Sequence, residues 1–333
     1  MLYLFLGGGN ILSSKQNIVV VGGANIDIKG YSRNYILHSS SPGWVKQSPG
    51  GVGRNIAENL ALLKQNVILL TVLSDDSYGE TLIKSVQNSG VNTDHIKIID
   101  KENYKTGIYL AHLDENGDLI GAVNDMRILK EIDEEYLTEK LKVIKESSLL
   151  VLDTNLEKDI IDLLLKTADE NKTRTLVEAV SVEKSHKLKG ELDKIDYIRL
   201  NLDEAEEIFS LREENRRFSF SKRIKLFFQA SEKFSQLPVM IVSAGDHGVY
   251  LFKREKNKLI KKHFRAEKLE KEKIVETTGA GDALSAAFAA GIASGFSEEL
   301  SVELGIKAAS LTIKSSLTCN PEISKLGRNF NEK

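Results

Sequence analysis

The stretch VGRNIAENLALLKQNVILLTV, residues Val52–Val72, contains the succession of helix and strand that decides the fold class. Its first part, Val52–Gln65, predicts an amphipathic helix, because apolar residues recur at helical spacing. These residues are Val52, Ile56, Leu60 and Leu63, whereas Arg54, Glu58 and Lys64 are expected to face water. Its second part, Val67–Val72, is a continuous apolar run of strand length. Such runs are typical of strands buried on both faces, as in a parallel sheet covered by helices.

The same kind of apolar run recurs along the chain with helical segments between the runs. The runs are Ile18–Val21, Leu149–Leu152, Thr175–Val177, Tyr197–Leu200 and Val239–Ser243. A second amphipathic helix is predicted at Arg223–Leu237, with Ile224, Phe227, Phe228 and Phe234 as its apolar stripe. The pattern predicts a doubly wound α/β fold with a central, mostly parallel sheet.

Two segments are alternating or rich in turns instead of continuously apolar: Gly30–Gln47 and Gly107–Val123. The second predicts a β-hairpin, because two strand-like runs flank the polar turn Asp114–Asp118. Half-exposed strands of this kind predict a small flap beside the main sheet. We expect one domain over residues 18–330 that carries the flap, preceded by an N-terminal extension over residues 1–17.

Composition excludes several classes of partner. The 333 residues contain 46 Lys and Arg against 48 Asp and Glu, a formal charge of −2, so bulk attraction to nucleic acid or anionic membranes is not expected. No apolar run approaches the roughly 20 residues that cross a bilayer. A single cysteine, Cys319, cannot form an intrachain disulfide. These features predict a soluble, cytoplasmic protein.

The most informative motif is TTGAGDALSAAFAAG at Thr277–Gly291. Gly279 and Gly281 bracket a tight turn that leads into a helix, and the first N–H groups of a helix bind anions such as phosphate. Asp282 lies at this helix start. Its simplest interpretation is an N-cap, and its functional interpretation is a base that accepts a hydroxyl proton while the glycine turn neutralises a phosphoryl group.

Together with GGVGRN at Gly50–Asn55, this motif resembles the paired signatures of the PfkB, or ribokinase-like, family of sugar and nucleoside kinases. The likeness extends from about Ile18 over nearly the whole chain. Within the family it is greatest to members that act on pseudouridine, through Gly23–Gly30 (GANIDIKG), Ala122–Met126 (AVNDM) and Asn320-Pro321.

The resemblance implies a three-layer α/β/α sandwich with a small β lid that closes over the sugar and serves as a homodimer surface. It implies ATP-dependent phosphorylation of the 5′-hydroxyl of pseudouridine, with Mg²⁺ as cofactor. The alternatives are another nucleoside, ribose or sugar kinase of the family, and, in a different class, a catalytically silent sugar-binding module. A dinucleotide-binding oxidoreductase is disfavoured, because GxGxxG does not follow the first strand.

The resemblance also assigns roles to individual residues. Asp282 is the expected base, and the N–H groups of Gly279, Ala280 and Gly281 form the expected anion hole. The expected acceptor-binding residues are Asn25, Asp27, Gly50, Gly51 and Asn55, with Asn124 and Asp125 as candidates for base or ribose contact. The expected ATP-binding residues are Asn201, Ser243, Gly245, Gly248, Thr278 and Gly281.

For metal binding, the resemblance implies that Asn201 and Glu204 organise Mg²⁺ and phosphate through water, which suits a hard cation that dehydrates reluctantly. Several of these assignments have simpler alternatives. Asp27 suits a turn, Asn124 and Asp125 suit a surface turn that closes the hairpin, and Glu204 suits the acidic first turn of a helix.

The chain departs from the family pattern at Glu178-Ala179, where many relatives have Asp-Pro, and at Arg199-Leu200, where many have Lys-Pro. Both departures lie on the phosphate and metal side of the expected site. Family members often bind a monovalent cation beside the anion hole with a carboxylate that precedes Thr-Thr. Glu276 has that position here, which implies activation by K⁺.

Overall fold

The computed structural model describes residues 17–33, 35–36, 38–256 and 258–330. The predicted extension over residues 1–17 therefore lies outside the described residues except for Asn17. The strands are β1 (Ile18–Val21), β2 (Asn25–Ser32), β3 (Gly43–Gly50), β4 (Val67–Leu70), β5 (Val72–Ser74), β6 (Lys97–Ile99), β7 (Gly107–Leu113), β8 (Leu119–Asp125), β9 (Leu149–Asp153), β10 (Thr175–Glu178), β11 (Tyr197–Asn201), β12 (Val239–Ser243), β13 (Val249–Glu255) and β14 (Lys258–Phe264). The α-helices are α1 (Val52–Leu62), α2 (Ser77–Ser89), α3 (Glu134–Lys145), α4 (Lys158–Asn171), α5 (Val182–Ser185), α6 (Leu202–Ile208), α7 (Arg212–Asn215), α8 (Phe220–Ser231), α9 (Ala280–Ala293) and α10 (Glu298–Ile313).

The central sheet has eight strands in the order β14-β13-β12-β11-β10-β9-β1-β4. Its six strands from β12 to β4 pair in parallel, and β13 and β14 add an antiparallel edge. Alternate residues of β1 pack into opposite cores: Val19 and Val21 on one face, Ile18 and Val20 on the other. This two-sided burial is the reason that the strands are continuously apolar. The predicted α/β/α sandwich is confirmed.

One predicted strand, Val67–Val72, is divided by the structure. Leu70 accepts a hydrogen bond from Gly22 in the central sheet, whereas Thr71 accepts one from Lys97. The chain leaves the central sheet at this point, and β5 pairs with β6 in a separate two-stranded sheet. Hydrophobicity alone does not indicate this break, because the apolar residues on its two sides are all buried.

Two predictions about helix faces are wrong. Arg54 was expected to face water, but it is 2% exposed and pairs with Glu58 across one turn of α1. Phe234 was expected in the apolar stripe of a helix, but α8 ends at Ser231 and Phe234 is 45% exposed. It instead packs edge-on against Phe209. The end of α8 removes Phe234 from the helical spacing on which the prediction rested.

The flap is a four-stranded sheet in the order β3-β2-β7-β8, called the lid below. Its strands begin earlier than expected, at Asn25, and β3 reaches Gly50. The β7–β8 hairpin has its turn at the predicted place, where Asp114 accepts from the N–H groups of Asn116 and Asp118. Residues paired in register share a face of a sheet. The domain boundaries themselves stay a prediction.

The two faces of the lid differ in chemistry. One face, called the inner face, carries Asn25, Asp27, Lys29 and Tyr31 of β2. Their register partners on β3 are Gly50, Ser48, Lys46 and Trp44. The opposite, outer face packs Ile26 and Ile28 against the body near Leu73 and Leu82. The alternation along β2 therefore buries apolar side chains and leaves polar ones on the inner face.

Among the helices of the described residues, none is long and apolar enough to span a membrane. A cytoplasmic location stays a prediction from the sequence.

Candidate active site

Asp282 lies in the first turn of α9, directly after the glycine turn. Gly279 is the N-cap residue and has φ 84°, a left-handed conformation that favours glycine. A Cβ at Gly279 would lie 2.4 Å from the Thr318 carbonyl oxygen. The N-cap interpretation of Asp282 is therefore wrong, because Gly279 has that position and Asp282 is inside the helix. The sequence-predicted residues 279–282 form one compact turn.

Among the described residues, the side chain that hydrogen-bonds to the Asp282 carboxylate is Asn55. Asn55 Nδ2 donates to Asp282 Oδ2 at 2.7 Å, and Arg54 Nε donates to Asn55 Oδ1 at 3.2 Å. Arg54 thus fixes which way the Asn55 amide points. Asn55 was predicted to bind an acceptor hydroxyl, and the structure places it where it orients the expected base.

Burial sets the protonation of Asp282. The side chain is buried, and desolvation together with the nearby charge of Glu178 raises its pKa to about 7, although the Asn55 hydrogen bond and Arg199 act in the opposite direction. A carboxyl group with a pKa near neutrality is better matched to proton transfer than one near 4. The sequence could not indicate this, because the burial comes from α1 and the central sheet.

Asn25 and Asp27 lie together on the inner face of the lid. Asn25 Nδ2 donates to Asp27 Oδ1 at 2.7 Å, and burial raises the pKa of Asp27. Gly50 faces Asp27, where a Cβ would lie 2.4 Å from Oδ1. Gly51, with φ 95°, caps α1 and could not carry a Cβ without meeting the Gly23 carbonyl oxygen at 2.5 Å. The glycine pair thus brings the start of α1 close to the Asp27 carboxylate.

Asp153, at the carboxyl end of β9, is a site residue that sequence reasoning missed. It is 1% exposed, and its Oδ2 accepts from the N–H groups of Gly23 at 2.9 Å and Gly53 at 2.8 Å. It therefore joins the turn after β1 to the first turn of α1. Its position after a buried parallel strand was the available signal, because sites form at the carboxyl ends of such strands.

A cavity of about 570 Å³ lies between the lid and the loop before the glycine turn. The lid contributes Tyr31, Trp44 and Tyr109, and the loop contributes residues 274–278. The Tyr31 and Trp44 rings are stacked, with centroids 5.1 Å apart. A flat aromatic wall of this kind suits a planar ring, and the polar residues nearer the body suit hydroxyl groups.

The two candidate base-contact residues on β8 lie on opposite faces of the lid. Asn124 pairs in register with Tyr109, which lines the cavity, whereas Asp125 pairs with Ile108 on the other face. Asp125 also binds Arg127 in an exposed bidentate pair, at 2.9 and 2.8 Å. Both residues lie in β8, away from the hairpin turn at Asp114–Asp118, so the interpretation as a turn that closes the hairpin is wrong. Asn124, on the face of Tyr109, stays the candidate for base contact.

A second cavity, of about 290 Å³, lies on the other side of the glycine turn. Its polar side chains are Arg199, Ser243, Glu267, Thr277 and Ser310, and the lining also includes the glycines Gly245, Gly248 and Gly281 and several apolar residues. Thr277 lines both this cavity and the lid cavity, so the two meet at the glycine turn. Three of the predicted ATP-binding residues lie here with Gly281, whereas Thr278 lines the lid cavity and Asn201 lines neither.

Arg199 is a second residue that the sequence analysis did not assign. Its Nη1 donates to Glu178 Oε1 at 2.8 Å and its Nη2 donates to Ser243 Oγ at 3.0 Å. A Cβ at Gly281 would lie 2.6 Å from Nη2, so the guanidinium packs against the first turn of α9. Its Nε is buried without a partner. The two departures from the family pattern thus form one ion pair, and that pairing was the available signal.

Asn201 and Glu204 form a capping box at the start of α6. Glu204 accepts from the backbone N–H and the side-chain amide of Asn201, both at 2.7 Å, and its own N–H donates to Asn201 Oδ1 at 2.8 Å. Glu204 is 2% exposed, and burial raises its pKa despite nearby Arg199. Glu204 therefore lies in the first turn of α6, as the simpler interpretation of this residue predicts.

Asn201 and Glu204 are compatible with Mg²⁺ that is bound through bridging water molecules. Their oxygens are hard donors, yet each is already engaged within the capping box, which suits contact through the waters that Mg²⁺ retains. No cluster of three or more metal-binding side chains occurs in the part of the chain that the structure describes. Direct ligation by the protein alone is thus not supported there.

Glu276, the expected cation-binding carboxylate, is engaged by lysines of the lid. Lys29 Nζ binds Glu276 Oε1, and Lys46 Nζ lies 3.5 Å from Oε2. Lys29 also donates to Thr278 Oγ1 at 3.1 Å. Although burial acts to raise it, the pKa of Glu276 is lowered by the lysine partners.

Comparison with known proteins identifies the family of the chain. A model of the pfkB family of carbohydrate kinases matches residues 15–325. Pseudouridine kinase of Escherichia coli strain K12 is 32% identical over 314 residues, 94% of this chain and 95% of that protein. Guanosine-inosine kinase of Exiguobacterium acetylicum is 24% identical over 90% of this chain and 95% of its own. The Arabidopsis thaliana ribokinase structure with ribose and ATP aligns with TM-score 0.74 at 20% identity, covering 96% and 99% of the chains.

The fold and the matches define a phosphotransferase that acts on an alcohol group. The chain belongs to the pfkB family of carbohydrate kinases and is a nucleoside or sugar kinase.

Proposed function

We propose that the protein transfers the γ-phosphoryl group of ATP to the 5′-hydroxyl of pseudouridine. The observation that carries this proposal is the position of Asp282, a buried carboxyl group in the first turn of α9, close in sequence to Thr277, which lines both cavities. One cavity has the lid as its wall, and the other is lined by Arg199 and glycine turns. An acceptor and a phosphate donor on opposite sides of the glycine turn would bring their reacting groups together.

In the proposed reaction, Asp282 accepts the proton of the 5′-hydroxyl as its oxygen attacks the γ-phosphorus. The new oxygen–phosphorus bond forms while the bond to the β-phosphate oxygen breaks, and ADP leaves. The N–H groups of Gly279, Ala280 and Gly281 offset the charge on the transferred group. General-base assistance contributes about 10² to 10⁴-fold, so alignment and charge stabilisation supply most of the rate.

Mg²⁺ would be held mainly by the ATP phosphates, with Asn201 and Glu204 in contact through water. When bound, the ion neutralises phosphate charge. Arg199 adds a fixed positive charge from the protein on the same side. Ser243, Gly245 and Gly248 would lie along the nucleotide, because they line the cavity that Arg199 faces.

The acceptor proposal rests on the lid. Asn25 and Asp27 present polar atoms for ribose hydroxyls, and Tyr31, Trp44 and Tyr109 present aromatic surface for a base. The 32% identity to a pseudouridine kinase over almost the full length supports pseudouridine within this class. Asn124, on the cavity face of β8, is the proposed partner of the additional ring N–H that distinguishes pseudouridine from uridine.

An acceptor panel tests the proposal. Purified protein is given ATP, Mg²⁺ and, separately, pseudouridine, uridine, adenosine, inosine and ribose, and ADP release is measured. The expected result is a preference for pseudouridine. Preference for another acceptor contradicts the specific substrate and keeps the kinase, whereas no product from any acceptor favours the silent-module alternative.

The panel is repeated with Asn124→Ala and Asp125→Asn. Asn124 is exposed in this structure and would be covered by a bound base, so loss of its side-chain hydrogen bond in Asn124→Ala is expected to reduce the preference for pseudouridine over uridine about 10-fold or more. Asp125→Asn, on the opposite face of the same strand, is expected to keep the preference. Equal effects of the two substitutions would contradict the assignment of Asn124.

A further inference from the structure

Three charged side chains join the lid to the loop before the glycine turn. Lys29 on β2 and Lys46 on β3 pair directly in register, and both bind the carboxylate of Glu276. Lys46 Nζ also donates to the Ser316 carbonyl oxygen at 2.8 Å, and Lys29 Nζ donates to Thr278 Oγ1. We call the group of Lys29, Glu276 and Lys46 the Glu276 bridge.

Charge repulsion between the two lysines explains why the Glu276 bridge forms. Like charges directly opposite each other on neighbouring strands are destabilising, so the Lys29–Lys46 pair requires a counterion. Glu276 supplies it from outside the lid, with one ammonium at each carboxylate oxygen. The side chains of Lys29 and Glu276 are 10% and 20% exposed, so solvent screens this arrangement only in part.

A monovalent cation does not fit beside Glu276 in this arrangement. Both carboxylate oxygens already have an ammonium partner, and Lys46 takes the nearby Ser316 carbonyl oxygen as well. A further positive charge would stand within a few ångströms of two ammonium groups and would be repelled by both. The residues present therefore disagree with the K⁺ site that the family resemblance implies.

We propose that the Lys29 and Lys46 ammonium groups replace a bound monovalent cation at Glu276, so that phosphoryl transfer by this chain is independent of K⁺. Both lysines act as positioning residues: they hold Glu276 and Thr278, which precede the anion-hole glycines, and they touch neither reacting atom. The positive charge at this loop then comes from the lid instead of from solution. The kinetic part of this inference rests on the proposed function.

The first test compares initial rates in KCl and in choline chloride at equal ionic strength. The expected rates agree within about twofold, because the protein carries its own cations. Activation by K⁺ of about tenfold or more would overturn the proposal.

The second test needs no turnover. Thermal unfolding midpoints are measured in the same two salts for the wild type, for Lys29→Met/Lys46→Met, and for Lys84→Met, an exposed lysine on α2 that serves as a matched control. Removing both ammonium groups leaves Glu276 free to bind K⁺. The double variant is expected to unfold about 2 °C or more higher in KCl than in choline chloride, with no such difference in the wild type or the control.

A double variant as insensitive to K⁺ as the wild type would contradict the claim that the ammonium groups occupy a cation site. Lys29→Gln/Lys46→Gln, which removes both charges and keeps the side chains polar, replaces the double variant if the latter does not fold, and the same increase in KCl is expected. If no acceptor is phosphorylated, the proposed function fails, while the unfolding midpoints still decide the cation claim.

Discussion

The proposed reaction depends on the Asp282 carboxylate as a base, and the protonation of this group gives the first prediction. Because the pKa is raised to about 7, the carboxylate needed as a base is lost as the pH falls through this value. We expect kcat/KM to fall tenfold per pH unit below about 7.

Asp282→Asn is expected to lower kcat by about 10² to 10⁴-fold with acceptor binding nearly unchanged. Retained turnover in this variant, measured as ADP release, would remove the base assignment.

The same shift has a defined sign for stability. The folded state holds the Asp282 proton more tightly than the unfolded state, whose ordinary value is 3.8. The advantage is complete below about pH 4 and is lost as the pH rises to about 7. The free energy of unfolding of the wild type, relative to Asp282→Asn, should therefore fall across this window and be constant above it.

Arg199 gives the second prediction, because its ion pair with Glu178 is buried. Arg199→Met leaves the Glu178 charge without its partner, and such a loss costs about 3 to 5 kcal/mol of unfolding free energy. Arg199→Met/Glu178→Gln removes both charges and should regain most of this stability in urea denaturation. If Arg199 also contacts the transferred phosphoryl group, the double variant should keep a loss of about 10²-fold in kcat. Recovery of both stability and activity would assign the pair a structural role only.

The residues around Asp282 also show which parts of the site could be predicted from the sequence. Asp282 and the glycines were identifiable, because a glycine turn before a helix suits an anion and the motif resembles a signature of the PfkB family. The partner of Asp282 was not, since Asn55 lies 227 residues away in sequence and meets Asp282 only through the packing of α1 against α9. Burial, and with it the pKa of Asp282, depends on the same packing.

Among the structural elements, the turn that starts α9 gives the third prediction. Gly279→Ala would force an alanine into a left-handed conformation and press its Cβ against the Thr318 carbonyl oxygen. Such strain lowers the free energy of unfolding by about 1 to 3 kcal/mol. Gly190→Ala is the matched control, since Gly190 has φ 88° but no atom within 4 Å of its added Cβ. Urea denaturation should therefore show a larger loss for Gly279→Ala, together with loss of activity. Equal losses of stability would show that the contact with Thr318 is relieved at no cost.

Helices and strands were predictable where a single hydrophobic pattern continues along the whole element. The strands β1 and β12 begin and end at the predicted residues, because both faces of each are covered. The break within Val67–Val72 was not predictable, since hydrogen bonding of the Thr71 carbonyl to Lys97 decides it. The β7–β8 hairpin was predictable from its turn, but the assignment of Asn124 and Asp125 to opposite faces required the register with Tyr109.

At the scale of the whole molecule, an exposed apolar patch on the lid gives the fourth prediction. The outer face of the lid exposes Val45, Leu110 and Val123, each about half exposed or more. Leu110 and Val123 pair in register, so they form a continuous patch of the kind that marks an interface. We propose that this patch joins two copies of the chain.

Light scattering coupled to size exclusion is expected to give a dimer for the wild type and a monomer for Val45→Lys/Val123→Lys. The lysines place like charges opposite each other across a two-fold interface, whereas the fold should tolerate them because the sites are exposed. A wild-type monomer at concentrations of tens of micromolar would contradict the proposed dimer.

The central claim is phosphorylation of the pseudouridine 5′-hydroxyl, and the product itself tests it most directly. Pseudouridine, ATP and Mg²⁺ are incubated with the protein, and the purified product is examined by mass spectrometry and by phosphorus-coupled NMR. The expected product is a nucleoside monophosphate with the phosphorus coupled to the 5′ protons, formed in equal amount to ADP, and about 10² to 10⁴-fold more slowly with Asp282→Asn. ADP without a phosphorylated nucleoside, or a phosphate on the 2′ or 3′ oxygen, would contradict it.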